Sequence, residues 1–442
     1  MQRPSSPKNN PASPETKPVD DKNSQGALRR QYEVFPYPPP DDDDAPATGS
    51  PTGSPSHLLE IDHFLFGGRR DWTRPFRALI AGGGTGNAAI MLARQLRDIG
   101  CPAELVYVDL STASQKIAEA RAREQGLTSI TFITGSFTDL DSAQYGAFDY
   151  IDCCGVLHHL QDPPAALRAL HALLTPEGGM GLMLYGRYGR TGIYDVQDIM
   201  RRLTPNQDQT SQLAVLKSLL SELPSSNRLV QNAATAHAPD QHDSELVDKF
   251  LHPQDRAYSV PELAQLCDQA ALKIVSFVPV GRYRPETYLN GADFRNRITD
   301  MSLIERASLA ELVAGNIGRH IFYATPNSAT AERPVSLDDP NIGRATPILK
   351  NGEGAVLADR FTPDTAIKAQ FEDLSILVEP PALAAEILRR IDNQRSLEDI
   401  YFELAMTNSD LAWPVFLDQF KNLYDILHGL LNAMFLRFPK GA

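Results

Sequence analysis

FRALIAGGGTGNAAIMLARQLRDIGCPAELVYVDL, residues 76–110, decides the fold. The apolar run at residues 78–81 has the length and composition of a parallel strand buried on both faces. It stops at Gly82, Gly83, Gly84, Thr85 and Gly86, where missing side chains let the backbone turn sharply and come close to a ligand. Residues 87–96 then carry helical spacing, and a second strand at residues 105–108 ends in Asp109. A carboxylate at that place can accept hydrogen bonds from both hydroxyls of a ribose. Strand, glycine loop, helix, strand and terminal acid form a unit for binding a nucleoside.

The loop alone leaves the nucleoside open. Read from Gly84, GTGNAA fits the dinucleotide pattern G-x-G-x-x-A, which makes a nicotinamide or flavin cofactor a rival. Read from Gly82, GGGTG has the G-x-G-x-G form found after the first strand of class I S-adenosylmethionine methyltransferases. The downstream sequence separates the two. ITFITGSFTDL (130–140) is a third strand followed by a loop, and FDYIDCCGVLHHLQDP (148–163) is a fourth strand running into a turn and helix. LLTPEGGMGLMLYG (173–186) is a helix end, a glycine turn and a fifth strand. In order and spacing these segments resemble the successive motifs of class I methyltransferases. The phrases FD-h-h-x-x-x-x-V-L-H-H-L and L-x-P-G-G carry most of the likeness, with Glu177 where the family more often has glycine. The resemblance resumes at AYSVPELAQLCDQAALKIVSFVPV (257–280), similar to a late helix and sixth strand, and at RHIFYATP (319–326), similar to the seventh strand.

That resemblance implies a Rossmann-like, seven-stranded α/β sheet and S-adenosyl-L-methionine as cofactor. It places Gly82, Gly84 and Gly86 under the carboxypropyl and ribose groups, and Asp109 on the ribose hydroxyls. Leu110 would meet an adenine face, Ser136 and Phe137 the adenine edge, and Cys153 and Cys154 the region of the transferring methyl. Position 136 is commonly Asp in the family, and a serine accepts more weakly from the adenine amino group. The [DN]-P-P-[YF] phrase of amino-group methyltransferases is absent after strand four, which argues against an adenine-amino or glutamine target.

His158 and His159 are the candidate catalytic residues, since a neutral imidazole can act as general base near neutral pH. The same pair also recurs in the superfamily as a structural turn. Two Cys and two His within seven residues suggest a metal, but neighbouring strand residues point to opposite faces and no second ligand cluster follows, so no metal is expected. Tyr185, Arg187, Tyr188, Arg190 and Tyr194 cluster after strand five, and His252, Asp255, Arg256 and Tyr258 close the following insertion. Arginines with tyrosines suit an anionic or aromatic acceptor, and a solvated face has the same composition.

The chain has 442 residues, 42% of them apolar, a formal net charge of −13 and four cysteines. The cysteines are too few for a disulfide framework, so a reducing, cytoplasmic setting is expected. The acidic balance argues against broad nucleic-acid binding, and no apolar run reaches membrane-spanning length. Residues 1–28 are rich in Pro, Ser, Asn and Lys and should be disordered, as should the soft stretch 38–56. Between them QYEVFPYP (31–38) carries Tyr32, Val34, Phe35 and Tyr37, and a similar Y-x-x-x-P-Y-P phrase precedes the glycine loop in some bacterial methyltransferases. This segment is expected to dock within the otherwise disordered tail 1–56, either as a lid over the cofactor or as surface packing.

Residues 57–326 then form the methyltransferase domain, with a helical cap at 186–258 and a second insertion at 281–318. Residues 327–350 are a linker, and residues 351–442 a small, mainly helical accessory domain. In that last part ILRRIDNQRSLEDIYFEL, with Ser396 placed to cap the helix that follows, resembles winged-helix-like modules attached to some bacterial methyltransferases. The sequence thus reads as an S-adenosylmethionine-dependent methyltransferase acting on an O, N or C nucleophile of an acceptor, a small molecule by preference. A nicotinamide-dependent oxidoreductase and a non-catalytic cofactor sensor are the alternatives.

Overall fold

The computed structural model describes residues 21–39, 54–232, 241–289, 291–331, 333–350, 352, 354–361 and 365–439. The expected disorder of residues 1–20 and 40–53 lies outside them. A seven-stranded sheet with strand order β3-β2-β1-β4-β5-β7-β6 forms the centre. Its strands are β1 (Phe76–Ala81), β2 (Ala103–Asp109), β3 (Ile130–Thr134), β4 (Phe148–Cys154), β5 (Leu174–Tyr185), β6 (Leu272–Val278) and β7 (Arg319–Pro326). The first five run parallel, and β7 is antiparallel to both β5 and β6.

Alternation along each strand feeds two cores, as the period of two requires. Leu79, Ala81, Val106 and Val108 enter the core on one face, and Phe76, Ala78, Ile80, Leu105 and Tyr107 the core on the other. Both faces are covered, which is why β1 reads as a continuous apolar run. Helix α2 (Leu58–Phe66) and helix α3 (Asn87–Asp98) cover the second face.

The insertion after β5 folds into helices Ile193–Leu203, Gln209–Glu222 and Asp243–Phe250, which share a core of their own. In open α/β sheets ligands bind at the carboxyl ends of the strands, so this cap stands over the expected site. Three expectations need correction. Residues 54–56, read as disordered, are buried, with Ser56 donating to Asp152 and Pro55 O accepting from Tyr150 Oη. Residues 21–28, read as disordered, belong to helix α1 (Asp21–Val34). Residues 346–349, read as linker, form β8 (Thr346–Leu349), which pairs with β11 (Met434–Arg437) at the far end of the accessory domain.

The accessory domain has helices Leu397–Thr407 and Trp413–Tyr424, and a hairpin of β9 (Ile367–Phe371) and β10 (Leu374–Val378). Ser396 caps the first helix in a reciprocal capping box with Asp399. The domain docks on α2 through buried groups: Lys350 pairs with Glu60, Asn432 Nδ2 donates to Glu60 at 2.9 Å, and Phe435 joins the core beneath the sheet.

Candidate functional site

A cavity of about 1520 Å³ opens at the carboxyl ends of β1, β2, β4 and β5. One half is built around the glycine loop. Gly84 has φ +52°, and a Cβ there would run into the carbonyl oxygen of Tyr37. The position therefore needs glycine for both backbone angle and space. Arg121 holds the loop from outside, donating to Thr85 O at 2.9 Å and Asn87 Oδ1 at 2.6 Å.

Asp109 accepts from Gly84 N and Ser111 N, each at 2.8 Å. A carboxylate has about four acceptor sites, so capacity for two ribose hydroxyls remains. Burial pushes its carboxyl up from the usual range, against the hydrogen bonds from Ser111 and Gly84. Leu110, Ser136, Phe137 and Val156 line the same half. Ser136 accepts from Thr138 N at 3.3 Å and shares a 2.7 Å hydrogen bond with the Thr138 hydroxyl. Deeper in the cavity, Asp152 accepts from Ser56 Oγ at 2.6 Å, and burial pushes it up to about 6. Glycine loop, acid and apolar side walls fit a nucleoside cofactor of the expected kind.

The N-terminal segment lies against this half. Thr85 Oγ1 donates to Pro38 O at 2.9 Å, and Ser111 Oγ to Tyr32 O at 3.0 Å. The Glu33 carboxylate accepts from Thr112 N at 2.6 Å and Ala113 N at 3.2 Å, at the positive end of helix α4 (Thr112–Glu124). Phe35 packs against the core of the cap. Residues 32–38 thus join the glycine loop to the insertion.

The other half is lined by His159, Tyr185, Cys154, Met183, Glu245 and Arg319, among others. His159 is 4% exposed, and its Nδ1 donates to Gln254 O at 2.9 Å. Its ring stacks on that of His252 with centroids 3.6 Å apart. Asp248 accepts from Tyr32 Oη at 3.0 Å and from Tyr185 Oη at 2.9 Å. Burial, then the Asp248 charge, raises both tyrosines well above their ordinary value, so they remain donors. Behind Tyr185 lies a buried ion pair of Arg190 and Asp255 at 2.6 Å, with the guanidinium 3.6 Å from the Tyr185 ring centre.

Gly82, Gly84, Asp109, Leu110, Ser136, Phe137, Cys154, His159 and Tyr185 are brought to one cavity. The remaining sequence candidates are not. Gly86, with φ +96°, backs onto Ala118, and Cys153 points into the core. His158 is 1% exposed, lies under Tyr185 with ring centroids 3.9 Å apart, and has no hydrogen-bond partner on either nitrogen among the described residues. Burial, then His159, holds its imidazole well below the ordinary value. It is a packed neutral ring, not a base.

Arg187 donates to Glu262 at 2.6 Å, and Arg256 sits over the Tyr258 ring at 4.7 Å. Tyr188 lies in a short turn, and Tyr194 stands 5.6 Å from the Arg190 guanidinium, behind Tyr185. None of these four lines the cavity. Asp248, Glu245, Gln254 and Arg319 were not singled out from sequence. Only the strand-end position of Arg319, opposite Tyr185 in register, could have drawn attention to it.

Known proteins resemble the chain as follows. Residues 79–180 match the family model described as a methyltransferase domain. An uncharacterized protein of Synechococcus sp. is 30% identical over 302 residues, 67% of this chain and 70% of that protein. A ubiquinone biosynthesis O-methyltransferase of Xanthomonas axonopodis pv. citri is 32% identical over 97 residues, 22% of this chain and 39% of that enzyme. Its counterpart in Xanthomonas campestris pv. campestris is 29% identical over 160 residues, 31% and 64% of the two chains. The chain therefore spans 39% of the first of these enzymes and 64% of the second, under two thirds of each. Among solved structures, PKMT2 from Rickettsia typhi in complex with AdoHcy has a TM-score of 0.61 at 16% identity, covering 88% of this chain and 76% of that one. That likeness is one of fold.

Proposed function

The chain belongs to the class I S-adenosylmethionine-dependent methyltransferases, and from that membership we propose that its methyl acceptor is a small molecule bound in the capped half of the cavity. S-adenosyl-L-methionine is the cofactor; it supplies an electrophilic methyl on a sulfonium. The protein contributes orientation and exclusion of water, and these account for much of the catalysis in an in-line transfer.

One observation carries the proposal on the acceptor. The cavity holds about 1520 Å³, above the ~300–1,000 Å³ of a single-ligand site, and runs without a break from the glycine loop to His159 under the cap. Tyr37, Glu245, Pro253 and Gln254 border the acceptor half. Such a chamber beneath the cap suits a compact molecule better than a protein side chain on its backbone or a duplex. The formal net charge of −13 agrees with an acceptor other than nucleic acid. No helix among the described residues is long and apolar enough to cross a membrane, and four cysteines without a disulfide agree with a cytoplasmic setting.

Cell extract incubated with the protein and methyl-labelled S-adenosylmethionine tests this. Label is expected in the low-molecular-mass fraction. Label confined to protein or RNA would contradict a small acceptor.

A further inference from the structure

Asp248 is a carboxylate only 3% exposed, and no Lys or Arg lies within ion-pair distance of it among the described residues. Two neutral tyrosine hydroxyls hold it. Its single ion-pair contact is the Nε2 of His159, at 4.0 Å, a pairing that exists only when that imidazole is protonated. Buried charges are ordinarily paired, so this carboxylate is arranged for a cation that is absent at rest.

The backbone of Gln254 shows which imidazole can become that cation. Its carbonyl accepts from Nδ1 of His159, which leaves the lone pair of the neutral ring on Nε2. Its N–H donates to Nδ1 of His252 at 3.1 Å, which puts the proton of that ring on Nε2. The backbone of one residue, through its N–H and its C=O, therefore sets opposite tautomers in two stacked rings. His252 Nε2–H points to the Tyr32 hydroxyl at 3.4 Å, and Tyr32 donates onward to Asp248.

The same tautomers argue against a metal. His159, Asp248 and His252 lie close enough together to suggest one. Ligation through His252 Nε2 would force a proton onto Nδ1, opposite the Gln254 N–H, donor against donor.

We propose that His159 Nε2 is the base that takes the acceptor's proton and that Asp248 is the positioning counter-ion for the imidazolium so formed. This rests on the methyl-transfer reading. The acceptor's nucleophilic atom bonds to the methyl carbon as the methyl–sulfur bond breaks, and the bonding pair stays on sulfur. The acceptor's proton moves to His159 Nε2, and the positive charge lost from sulfur reappears beside Asp248. Acceptors carrying an ionisable hydroxyl, phenolic or enolic, make use of such a base; those already anionic do not. The other groups around the pair are His158, His252, Tyr32, Tyr185, Tyr37, Glu245, Lys249 and the Arg319 guanidinium, with Arg190 neutralised by Asp255 behind Tyr185. Lys249, held down to about 8 by burial, donates to Gln241 at 2.6 Å and makes no ion pair with Asp248.

Nitrogen-15 histidine NMR on the full chain bound to S-adenosylhomocysteine tests this, with His159→Gln and His252→Gln to assign the rings. The expected spectrum has His159 protonated on Nδ1 and His252 on Nε2. At a fixed pH the His159 Nε2 resonance should move in Asp248→Asn relative to the wild type, since the carboxylate 4.0 Å from that nitrogen is gone. Calorimetry should show that both proteins bind S-adenosylhomocysteine, so that the two spectra compare the same bound state. The same tautomer in both rings, or His159 behaving alike with and without Asp248, overturns the proposal. The tautomer comparison needs only the wild-type state, so it decides even if Asp248→Asn folds poorly. A wild-type protein that fails to bind S-adenosylhomocysteine would instead sink the methyl-transfer reading.

Discussion

Asp109 shapes the loop, and in the proposed reading it also holds the ligand. Its two oxygens accept from Gly84 N and Ser111 N and so shape the turn that passes under the cofactor, while the remaining lone pairs face the cavity. Asp109→Ala is expected to weaken S-adenosylhomocysteine binding by about 1–3 kcal/mol, the scale for buried polar groups left without a partner. Unchanged affinity in calorimetry would remove Asp109 from the site. This residue was legible because position encodes its role: the carboxyl end of the second strand always faces the glycine loop. The choice between His158 and His159 was not. The two are adjacent in sequence, and what separates them is Tyr185 packed on one and a Gln254 peptide, 95 residues on, fixing the other.

At the scale of elements, the strands were legible from composition and order, with boundaries extended by one or two residues where the sequence turns polar. Helix α1 was not, because its first half has the composition of a solvated tail and is followed by the aromatic segment that docks. That docking accounts for three of the four large aromatic or apolar side chains in the stretch, Tyr32, Phe35 and Tyr37, whereas Val34 stays exposed. Tyr32 reaches Asp248, Glu33 caps α4, Phe35 enters the cap core and Tyr37 crosses Gly84. Removing residues 1–38 is expected to weaken S-adenosylhomocysteine binding about tenfold, or ~1.4 kcal/mol. Hydrogen exchange over residues 32–37 should slow when that ligand binds. A truncated protein with wild-type affinity, and no change in exchange, would reduce the segment to surface packing. The β8–β11 pair was hidden for a different reason: four residues of strand carry too little periodicity to stand out from a linker, and the partner lies 85 residues further on.

In the whole molecule, strand ends of the sheet line both halves of the site, and the cap and N-terminal segment close over the second half, while the accessory domain packs on α2 on the covered second face of the sheet. That interface buries two imidazoles, His63 and His428, with ring centroids 4.3 Å apart. Burial lowers His428 to about 4 and His63 further below its ordinary value. At these two rings the unfolded chain therefore binds more protons than the folded one between pH ~6.5 and ~4, whereas Asp152, raised to about 6, acts in the opposite sense. The stability that the two rings contribute is complete above that window and declines as pH falls through it, by about 3 kcal/mol for His428. Melting temperature should drop accordingly, and His428→Phe should flatten the drop; an equal drop in that variant would place the acid sensitivity elsewhere. The central claim, that the glycine loop and Asp109 hold S-adenosylmethionine and not a dinucleotide, is tested most directly by calorimetric titration of the full chain with S-adenosylhomocysteine, NAD and NADP. Saturable binding of S-adenosylhomocysteine with no heat from either dinucleotide is expected, and binding of NAD or NADP in its place would contradict it.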